Sequence, residues 1–196
     1  MSKEEINKLM KEFFNKNVNS FMYSKKRLLE IENFLKDFSL VDYNNVLDVA
    51  CGAGIISSYL AKNNNNVVGI DLSSKMIENA KIIHNESNLI FLNEDLYEFN
   101  YKDKFDLIVI FNAYPHFLDT NLLIKSLKRL LNKNGRVVIL HDNNKEFLND
   151  KHSEVAKTIS KMIKEVNEES KLFINDFYIN RTIDSDHSYL IDMNLK

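Results

Sequence analysis

Two patterns of apolar residues divide the chain. Near the amino terminus, Lys3–Asn15 and Lys25–Phe38 carry apolar residues at helical spacing, so each segment predicts an amphipathic helix. From Asn45 onward, short runs rich in β-branched residues alternate with amphipathic segments. This alternation predicts parallel βαβ units.

The predicted strands are nearly continuously apolar, as expected when helices cover both faces of a parallel sheet. They are Val46–Val49, Val67–Ile70, Leu89–Leu92, Leu107–Phe111 and Val137–His141. Helices are predicted over Ile55–Lys62, Lys75–His84 and Leu122–Leu131. After Lys145, helical spacing recurs at Val155, Ile159, Met162, Ile163 and Val166 and predicts a further helix. Phe177–Ile183 and Ser188–Met193 flank a turn and predict an antiparallel hairpin.

These elements predict an α/β fold built on a doubly wound, seven-stranded, mostly parallel sheet with a C-terminal antiparallel hairpin. The chain has 196 residues, a length that suits one domain with a sizeable core. No repeat or linker marks a boundary. We therefore expect a single domain over residues 1–196, with residues 1–40 as a helical lid and residues 45–196 as the core.

Composition narrows the classes of partner and compartment. A net charge of -2 provides no general field for nucleic acid, so no nucleic acid partner is expected. The single cysteine, Cys51, fits a reducing cytoplasm and is expected to be a packing residue rather than a nucleophile. The charged amino terminus and the lack of an apolar run near ~20 residues predict neither secretion nor a membrane span. Monomer and homodimer both remain open.

Two of the four glycines, Gly52 and Gly54, lie in one turn after the first predicted strand. A tight turn without bulky side chains, followed by a helix, lets a ligand approach the backbone and the amides of the helix end. The run Val46–Gly54 resembles motif I of the class I S-adenosylmethionine-dependent methyltransferases, with Ala50 at the usual first glycine. A dinucleotide-binding turn would have glycine where this chain has Ser57, so that pattern fits poorly.

The resemblance continues in the order and spacing of that family to about His141. Asp71 ends the second strand, where a carboxylate can accept hydrogen bonds from ribose hydroxyls, and Ser73 or Ser74 should cap the next helix. The resemblance implies a Rossmann-like methyltransferase fold, S-adenosyl-L-methionine as cofactor, adenine packing on Leu72 and an adenine amino group bound by Asp95. The implied cofactor-binding residues are Asp48, Ala50, Gly52, Gly54, Asp71, Leu72, Met76, Asp95, Leu96 and Asn112.

A narrower resemblance involves Phe111–Phe117, which contains the only proline of the chain. This run is similar to a Phe-Pro-His-Phe element in a group of small prokaryotic class I methyltransferases. The fifth strand of that group continues into a histidine-containing run that is similar to His141–His152. Lys145 replaces the arginine of that group and cannot form a bidentate fork.

Three histidines map near the carboxyl ends of the fourth and fifth strands, where open α/β sheets bind ligands. They could accept the proton of a thiol, hydroxyl or amine, hold a metal, or only order the loops. We take His116 and His141 as candidate catalytic residues, and no metal is predicted. Candidate substrate-binding residues are Tyr114, Phe117 and His152, with Phe21 and Tyr23 from the lid. His84 and His187 are expected to be surface residues.

The activity expected from these motifs is methyl transfer to a small-molecule acceptor by in-line displacement at the cofactor's methyl carbon. Two alternatives stay open. The chain could be a non-catalytic module that binds S-adenosylmethionine, or an oxidoreductase that uses a dinucleotide on a similar fold.

Overall fold

The computed structural model describes residues 2–21, 23–150 and 158–196. Contacts between residues divide the chain into two compact units, Met1–Phe99 and Asn100–Lys196. Within the described residues, no helix has both the length and the apolar composition needed to cross a membrane.

The first unit contains four helices and three strands among the described residues. The helices are α1 (Lys3–Lys16), α2 (Lys25–Leu35), α3 (Ile55–Asn63) and α4 (Ser74–Ile83). The strands are β1 (Asn45–Val49), β2 (Asn66–Asp71) and β3 (Leu89–Asn93). Every predicted element of this unit is present. The predicted second helix is shorter than expected, because a 3-10 turn over Lys36–Phe38 follows α2.

Helix α1 begins at a capping box, which explains its sharp start. The Ser2 hydroxyl accepts a hydrogen bond from the Glu5 amide at 3.2 Å, and the Glu5 carboxylate accepts one from the Ser2 amide at 2.7 Å. Two amides at the start of the helix thus gain partners. The helix packs against α4.

The three strands of the first unit are parallel and end at one level. Val49 pairs with Ile70, and Ile70 pairs with Leu92. The segments that follow these residues therefore lie at the same edge of the sheet, the edge at which α/β folds bind ligands.

Phe91 packs between two of the glycines of this unit. A Cβ on Gly54 would lie 2.5 Å from Phe91 Cζ, and a Cβ on Gly69 would lie 2.8 Å from Phe91 Cδ1. Cys51 belongs to the same buried cluster as Phe91, Ile77 and Ala80. The expectation that Cys51 is a packing residue is confirmed, and burial raises the pKa of its thiol.

The second unit contains the remaining four strands. They are β4 (Phe105–Phe111), β5 (Leu131–His141), β6 (Phe177–Ser185) and β7 (Ser188–Leu195). Its described helices are α5 (Thr120–Leu130), α6 (Lys145–Asp150) and α7 (Val166–Glu169). β5 is parallel to β4, β7 is antiparallel to β5, and β6 forms the predicted antiparallel hairpin with β7.

The seven strands form a mixed sheet in the order β3-β2-β1-β4-β5-β7-β6. The predicted α/β class, the mostly parallel sheet and the C-terminal hairpin are confirmed. Strand β5 begins at Leu131, six positions before the predicted start at Val137. Its first residues include the polar run Asn132–Asn134, so the apolar pattern did not reveal them.

The helix predicted after Lys145 is interrupted in its described part. Lys145–Asp150, residues 158–159 and Val166–Glu169 are helical. Residues 160–165 are not helical. The Lys161 amide donates to the Pro115 carbonyl at 2.8 Å, and the Ile163 amide donates to Asn149 Oδ1 at 3.0 Å. These backbone groups bond to distant residues instead of to the preceding turn of a helix. Ile163 is still buried, whereas Met162 is exposed. Val155 lies outside the described residues.

Candidate functional site

The turn after β1 has the conformation that a close ligand contact requires. Ala50, Gly52 and Gly54 have positive φ angles of 57°, 54° and 83°. A Cβ built on Gly52 would meet nothing within 4 Å, so open space lies beside this backbone. No described side chain caps α3, which begins directly after Gly54. The turn thus offers open space beside a helix start whose first amides have no side-chain cap.

Asp71 lies beside this turn. Its Oδ2 accepts a hydrogen bond from the Gly52 amide at 2.9 Å, and its Oδ1 accepts one from the Ser73 amide at 2.8 Å. Burial raises the pKa of the Asp71 carboxyl. Ser73 caps α4 by accepting a hydrogen bond from the Met76 amide at 3.2 Å, which confirms the predicted cap. The structure therefore places the predicted ribose acid next to the glycine turn.

Asp48 is buried and supports the start of α3. The Ser57 hydroxyl donates to Asp48 Oδ2 at 2.6 Å. Burial raises the pKa of Asp48 to about 7, and the negative charge of Asp71 adds to the rise. With only 1% of its surface exposed, Asp48 fixes the turn through Ser57. A direct contact between Asp48 and a cofactor stays a prediction.

His84, which was expected at the surface, is half-buried and contacts the glycine turn. Its Nε2 lies 3.0 Å from the Ala53 carbonyl, and its ring is 6.0 Å from the ring of Phe91. Burial lowers the pKa of His84. The side chain thus holds the glycine turn from the end of α4. Sequence reasoning missed it because the partner is 31 positions away. His187 is exposed, as expected.

Asp95, the predicted adenine acid, contacts α1. Its Oδ2 accepts a hydrogen bond from Asn7 Nδ2 at 2.6 Å, and its Oδ1 accepts one from the Tyr97 amide at 2.9 Å. Asn15, farther along α1, accepts from the Ser73 hydroxyl at 2.6 Å. Neither asparagine lies in a motif, so no sequence pattern indicates these contacts.

The other predicted cofactor residues of the first unit lie in the same two segments. Leu72 is half-buried, and its carbonyl accepts a hydrogen bond from Asn93 Nδ2 at 2.9 Å. Met76 and Leu96 are buried, at 2% and 5% exposure. Their contribution to a cofactor pocket stays a prediction.

Asn112 joins the ends of two strands in the second unit. Its φ angle is 52°, and it follows the pair formed by Phe111 and Leu140. Asn112 Nδ2 donates to Asp142 Oδ1 at 2.8 Å, and the Asp142 amide donates to Asn112 Oδ1 at 3.2 Å. The side-chain amide is thus paired within this unit. Its predicted role at the cofactor stays a prediction.

His141, the last residue of β5, is completely buried. Within the described part of the chain, neither of its ring nitrogens has a hydrogen-bond partner. Burial lowers its pKa to about 3, and the charge of His116 adds to this effect. Buried polar groups normally have hydrogen-bond partners, so the ring of His141 is a candidate for contact with a polar group of an acceptor.

His116 is held by the segment that precedes α7. Its Nδ1 lies 3.0 Å from the Ile159 carbonyl and 3.0 Å from the Ser160 hydroxyl. A carbonyl only accepts hydrogen bonds, so Nδ1 is assigned as the protonated nitrogen. In the neutral ring, Nε2 then carries the lone pair.

A buried ionic network surrounds Tyr114. The Tyr114 hydroxyl donates to Glu169 Oε1 at 2.5 Å. Lys161 Nζ donates to the same hydroxyl at 3.0 Å, to Thr120 Oγ1 at 2.7 Å and to Glu169 Oε1 at 3.2 Å. Burial raises the pKa of Tyr114 and lowers the pKa of Lys161. The hydroxyl of Tyr114 is thus committed to Glu169, and its role toward an acceptor stays a prediction.

The contacts of the remaining predicted substrate residues do not indicate an acceptor site. Phe117 is buried at 9% exposure. The Phe21 ring lies 5.5 Å from the ring of Phe14, and Tyr23 is 38% exposed. His152 lies outside the described residues. Among the residues that the structure describes, no group of three or more histidine, cysteine or acidic side chains could hold a metal.

Comparison with known proteins settles the family. A family model described as a methyltransferase domain matches residues 40–191, which is most of the chain. The chain belongs to this family. The class I relationship expected from the glycine turn is supported, and the narrower resemblance to the Phe-Pro-His-Phe group stays a prediction.

Two curated relatives of this methyltransferase domain are named O-methyltransferases. The chain is 33% identical to the ubiquinone biosynthesis O-methyltransferase of Pelagibacter ubique (strain HTCC1062) over 117 residues, which cover 55% of this chain and 48% of that protein. It is 33% identical to malonyl-[acyl-carrier protein] O-methyltransferase 1 of Ilyobacter polytropus over 106 residues, which cover 53% and 40% of the two chains. The methyltransferase domain thus spans about half the length, or less, of these relatives.

Crystal structures support the fold. The N-methyltransferase NodS of Bradyrhizobium japonicum WM9, in complex with S-adenosyl-L-homocysteine, has a TM-score of 0.69 at 16% identity and covers 92% of this chain and 97% of its own. The magnesium protoporphyrin IX methyltransferase of Synechocystis PCC 6803, with bound S-adenosylmethionine, has a TM-score of 0.67 at 18% identity and covers 97% of each chain. At 16% and 18% identity, these similarities support only the fold of the methyltransferase domain.

Proposed function

We propose that the protein transfers a methyl group from S-adenosylmethionine to a hydroxyl oxygen of a small molecule. The main observation that supports cofactor binding is the open space beside Gly52, whose amide donates to the Asp71 carboxylate. A Cβ would fill this space, and the donors and acceptors around it suit an amino-acid tail and a ribose. The methyltransferase family model supports the same reaction class.

Each cofactor residue has a distinct task in this proposal. The turn Ala50–Gly54 and the start of α3 hold the amino-acid portion through backbone amides. Asp71, already fixed by two backbone amides, accepts hydrogen bonds from the ribose hydroxyls. Asp95 accepts one from the adenine amino group. When bound, S-adenosylmethionine supplies an electrophilic methyl carbon on a sulfonium leaving group.

Oxygen is the proposed acceptor atom because the two curated relatives described above are named O-methyltransferases. A hydroxyl oxygen loses its proton as it bonds to the methyl carbon, while the carbon–sulfur electron pair returns to sulfur. A base for that proton is therefore useful, and a histidine near neutral pH suits this task.

His116 takes that proton in this proposal, and His141 orients the acceptor. The Ile159 carbonyl fixes the tautomer of His116, so that Nε2 carries the lone pair. His141 stays neutral at physiological pH because burial lowers its pKa to about 3. Neither ring nitrogen has a hydrogen-bond partner among the described residues. The neutral ring can therefore donate a hydrogen bond to an acceptor hydroxyl, or accept one from it, without transferring a proton.

The proposal is tested by a screen that detects S-adenosylhomocysteine formed with phenols, carboxylic acids, thiols and amines. We expect turnover with an oxygen acceptor. His116→Gln should lower kcat by roughly 10²- to 10⁴-fold, the usual contribution of a general base. His141→Asn should mainly raise KM for the acceptor. His187→Gln, which changes an exposed histidine, is the matched control.

Several results would change this proposal. Turnover of amines alone would exclude oxygen as the acceptor atom. Full activity in both histidine variants would remove their proposed roles. Cofactor binding without turnover of any acceptor would instead favour the non-catalytic binding module.

A further inference from the structure

Helix α1 contacts both loops that are assigned to the nucleoside part of the cofactor. Asn7 donates to Asp95 at 2.6 Å, in the loop after β3. Asn15 accepts hydrogen bonds from the Ser73 hydroxyl at 2.6 Å, in the loop after β2, and from the Lys75 amide at 3.2 Å, in the first turn of α4. Lys3 forms an ion pair with Glu98 at 3.0 Å. These polar contacts of the helix therefore reach Asp95, the proposed adenine acid, and the residues that follow Asp71, the proposed ribose acid.

The Asp95 carboxylate can serve Asn7 and a ligand together. An ionised carboxylate offers about four lone-pair positions. The Tyr97 amide uses one of them on Oδ1, and Asn7 Nδ2 uses one on Oδ2. Asn7 thus fixes the direction of the carboxylate without exhausting its capacity. Both residues are half-buried, so part of each residue stays exposed.

We propose that Asn7 is a base-specificity residue that orients Asp95 toward the amino group of the cofactor's adenine. This inference rests on the proposed function, because it takes Asp95 as the adenine acid. The NH₂ group of Asn7 donates to Oδ2 of Asp95. The side-chain carbonyl oxygen of Asn7 can then accept a hydrogen bond from the second hydrogen of the adenine amino group. Asn7 and Asp95 together then present acceptors to a 6-amino group.

This arrangement predicts rejection of a 6-oxo base. Hypoxanthine carries an oxygen where adenine carries the amino group, so two acceptors would face a third. A buried or half-buried acceptor that loses its donor is unfavourable, and sites that read a donor reject the analogue that lacks it. Loss of Asn7 would relax this discrimination, because Asp95 could turn away from the base.

Calorimetric titration tests this proposal with two probes, S-adenosylhomocysteine and S-inosylhomocysteine. The wild-type protein should bind the adenine probe at least about 100-fold more tightly than the hypoxanthine probe. Asn7→Ala should lose about tenfold in affinity for the adenine probe, the effect of one hydrogen bond, with little change for the other. The ratio of the two affinities should therefore fall.

Asn15→Ala is the matched control. It removes an asparagine of the same helix whose partners belong to the other loop and to the first turn of α4. If α1 only covers the cofactor, each variant should weaken the binding of the two probes by the same factor. The proposal requires that Asn15→Ala leave the ratio unchanged. Thermal unfolding without ligand should show that both variants are folded.

Two results would overturn the proposal. An unchanged ratio in Asn7→Ala, with intact wild-type affinity, would show that Asn7 does not read the base while leaving the cofactor assignment in place. Tighter binding of the adenine probe by Asn7→Ala would show that Asn7 competes with adenine for Asp95. Lack of binding by the wild-type protein would overturn the cofactor assignment and this proposal together.

Discussion

The Ser57 hydroxyl donates a 2.6 Å hydrogen bond to Oδ2 of the buried Asp48, whose pKa is raised by burial and by the negative charge of Asp71. This pair joins the end of β1 to the first turn of α3 and so holds the glycine turn between them. The turn is the part of the molecule on which the proposed cofactor site depends.

Asp48 should make the stability of the protein depend on pH. Its pKa rises from 3.8 to about 7 on folding, so the native state favours the protonated form. Stability from this group is complete below the unfolded pKa and is lost as pH rises through the folded pKa. The loss between pH 5 and pH 8 should be on the order of 2–3 kcal/mol.

Asp48→Asn should remove this slope and raise stability at pH 8. Urea unfolding at several pH values measures the effect, and Asp103→Asn is the control because Asp103 is exposed. Asp71 contributes a second slope of the same sign, because burial also raises its pKa. A slope identical in Asp48→Asn and the wild-type protein would contradict the assignment.

The two glycines of the turn should respond differently to alanine. Gly52→Ala adds a Cβ to open space, so the free energy of unfolding should fall only by the cost of a positive φ, about 1–2 kcal/mol. Cofactor binding should be lost, because the Cβ fills that space. Calorimetric titration with S-adenosylhomocysteine and urea unfolding separate the two effects.

Gly54→Ala should instead impair folding. Its Cβ would lie 2.5 Å from Phe91 Cζ, and the backbone φ of 83° adds strain. Phe91 is packed in the core and cannot move freely. We expect a larger loss of stability than for Gly52→Ala, on the order of 3 kcal/mol or more. Equal stability of the two variants would contradict this account of the turn.

Lys161 should contribute strongly to the stability of the second unit. Lys161→Ala leaves Glu169, which is only 4% exposed, without its cation. Removing one partner of a buried pair typically costs about 3–5 kcal/mol. Lys75→Ala is the matched control, because its pair with Glu78 is exposed and should contribute less than about 1 kcal/mol. Thermal unfolding compares the two, and equal shifts would exclude the buried network as a stabilising element.

Most of the fold could be predicted from the sequence because the elements from β1 to β4 have apolar patterns that are readable within each element. For example, β2 ends with the apolar run Val67–Ile70 and Asp71, and α4 begins at its cap Ser73. Both boundaries depend only on residues that are close in sequence. The prediction was wrong over residues 160–165. There the amide of Lys161 bonds to Pro115, a partner that helical spacing cannot reveal.

The candidate site divides in the same way. Gly52, Asp71 and Asp95 could be proposed as cofactor residues from the sequence because they belong to motifs that follow one another in a fixed order and spacing. Asn7, His84 and Lys161 were not, because each acts through a partner that only folding brings near. His141 shows an intermediate case, since its position was predicted but its lack of a described hydrogen-bond partner was not.

The central claim is that the glycine turn and Asp71 bind S-adenosylmethionine. Calorimetric titration of the wild-type protein and Asp71→Ala with S-adenosylhomocysteine tests it most directly. We predict one site per chain in the wild-type protein and an affinity at least about tenfold lower in the variant, because two ribose hydrogen bonds lose their acceptor. No binding by the wild-type protein, or equal affinity in both proteins, would contradict the claim.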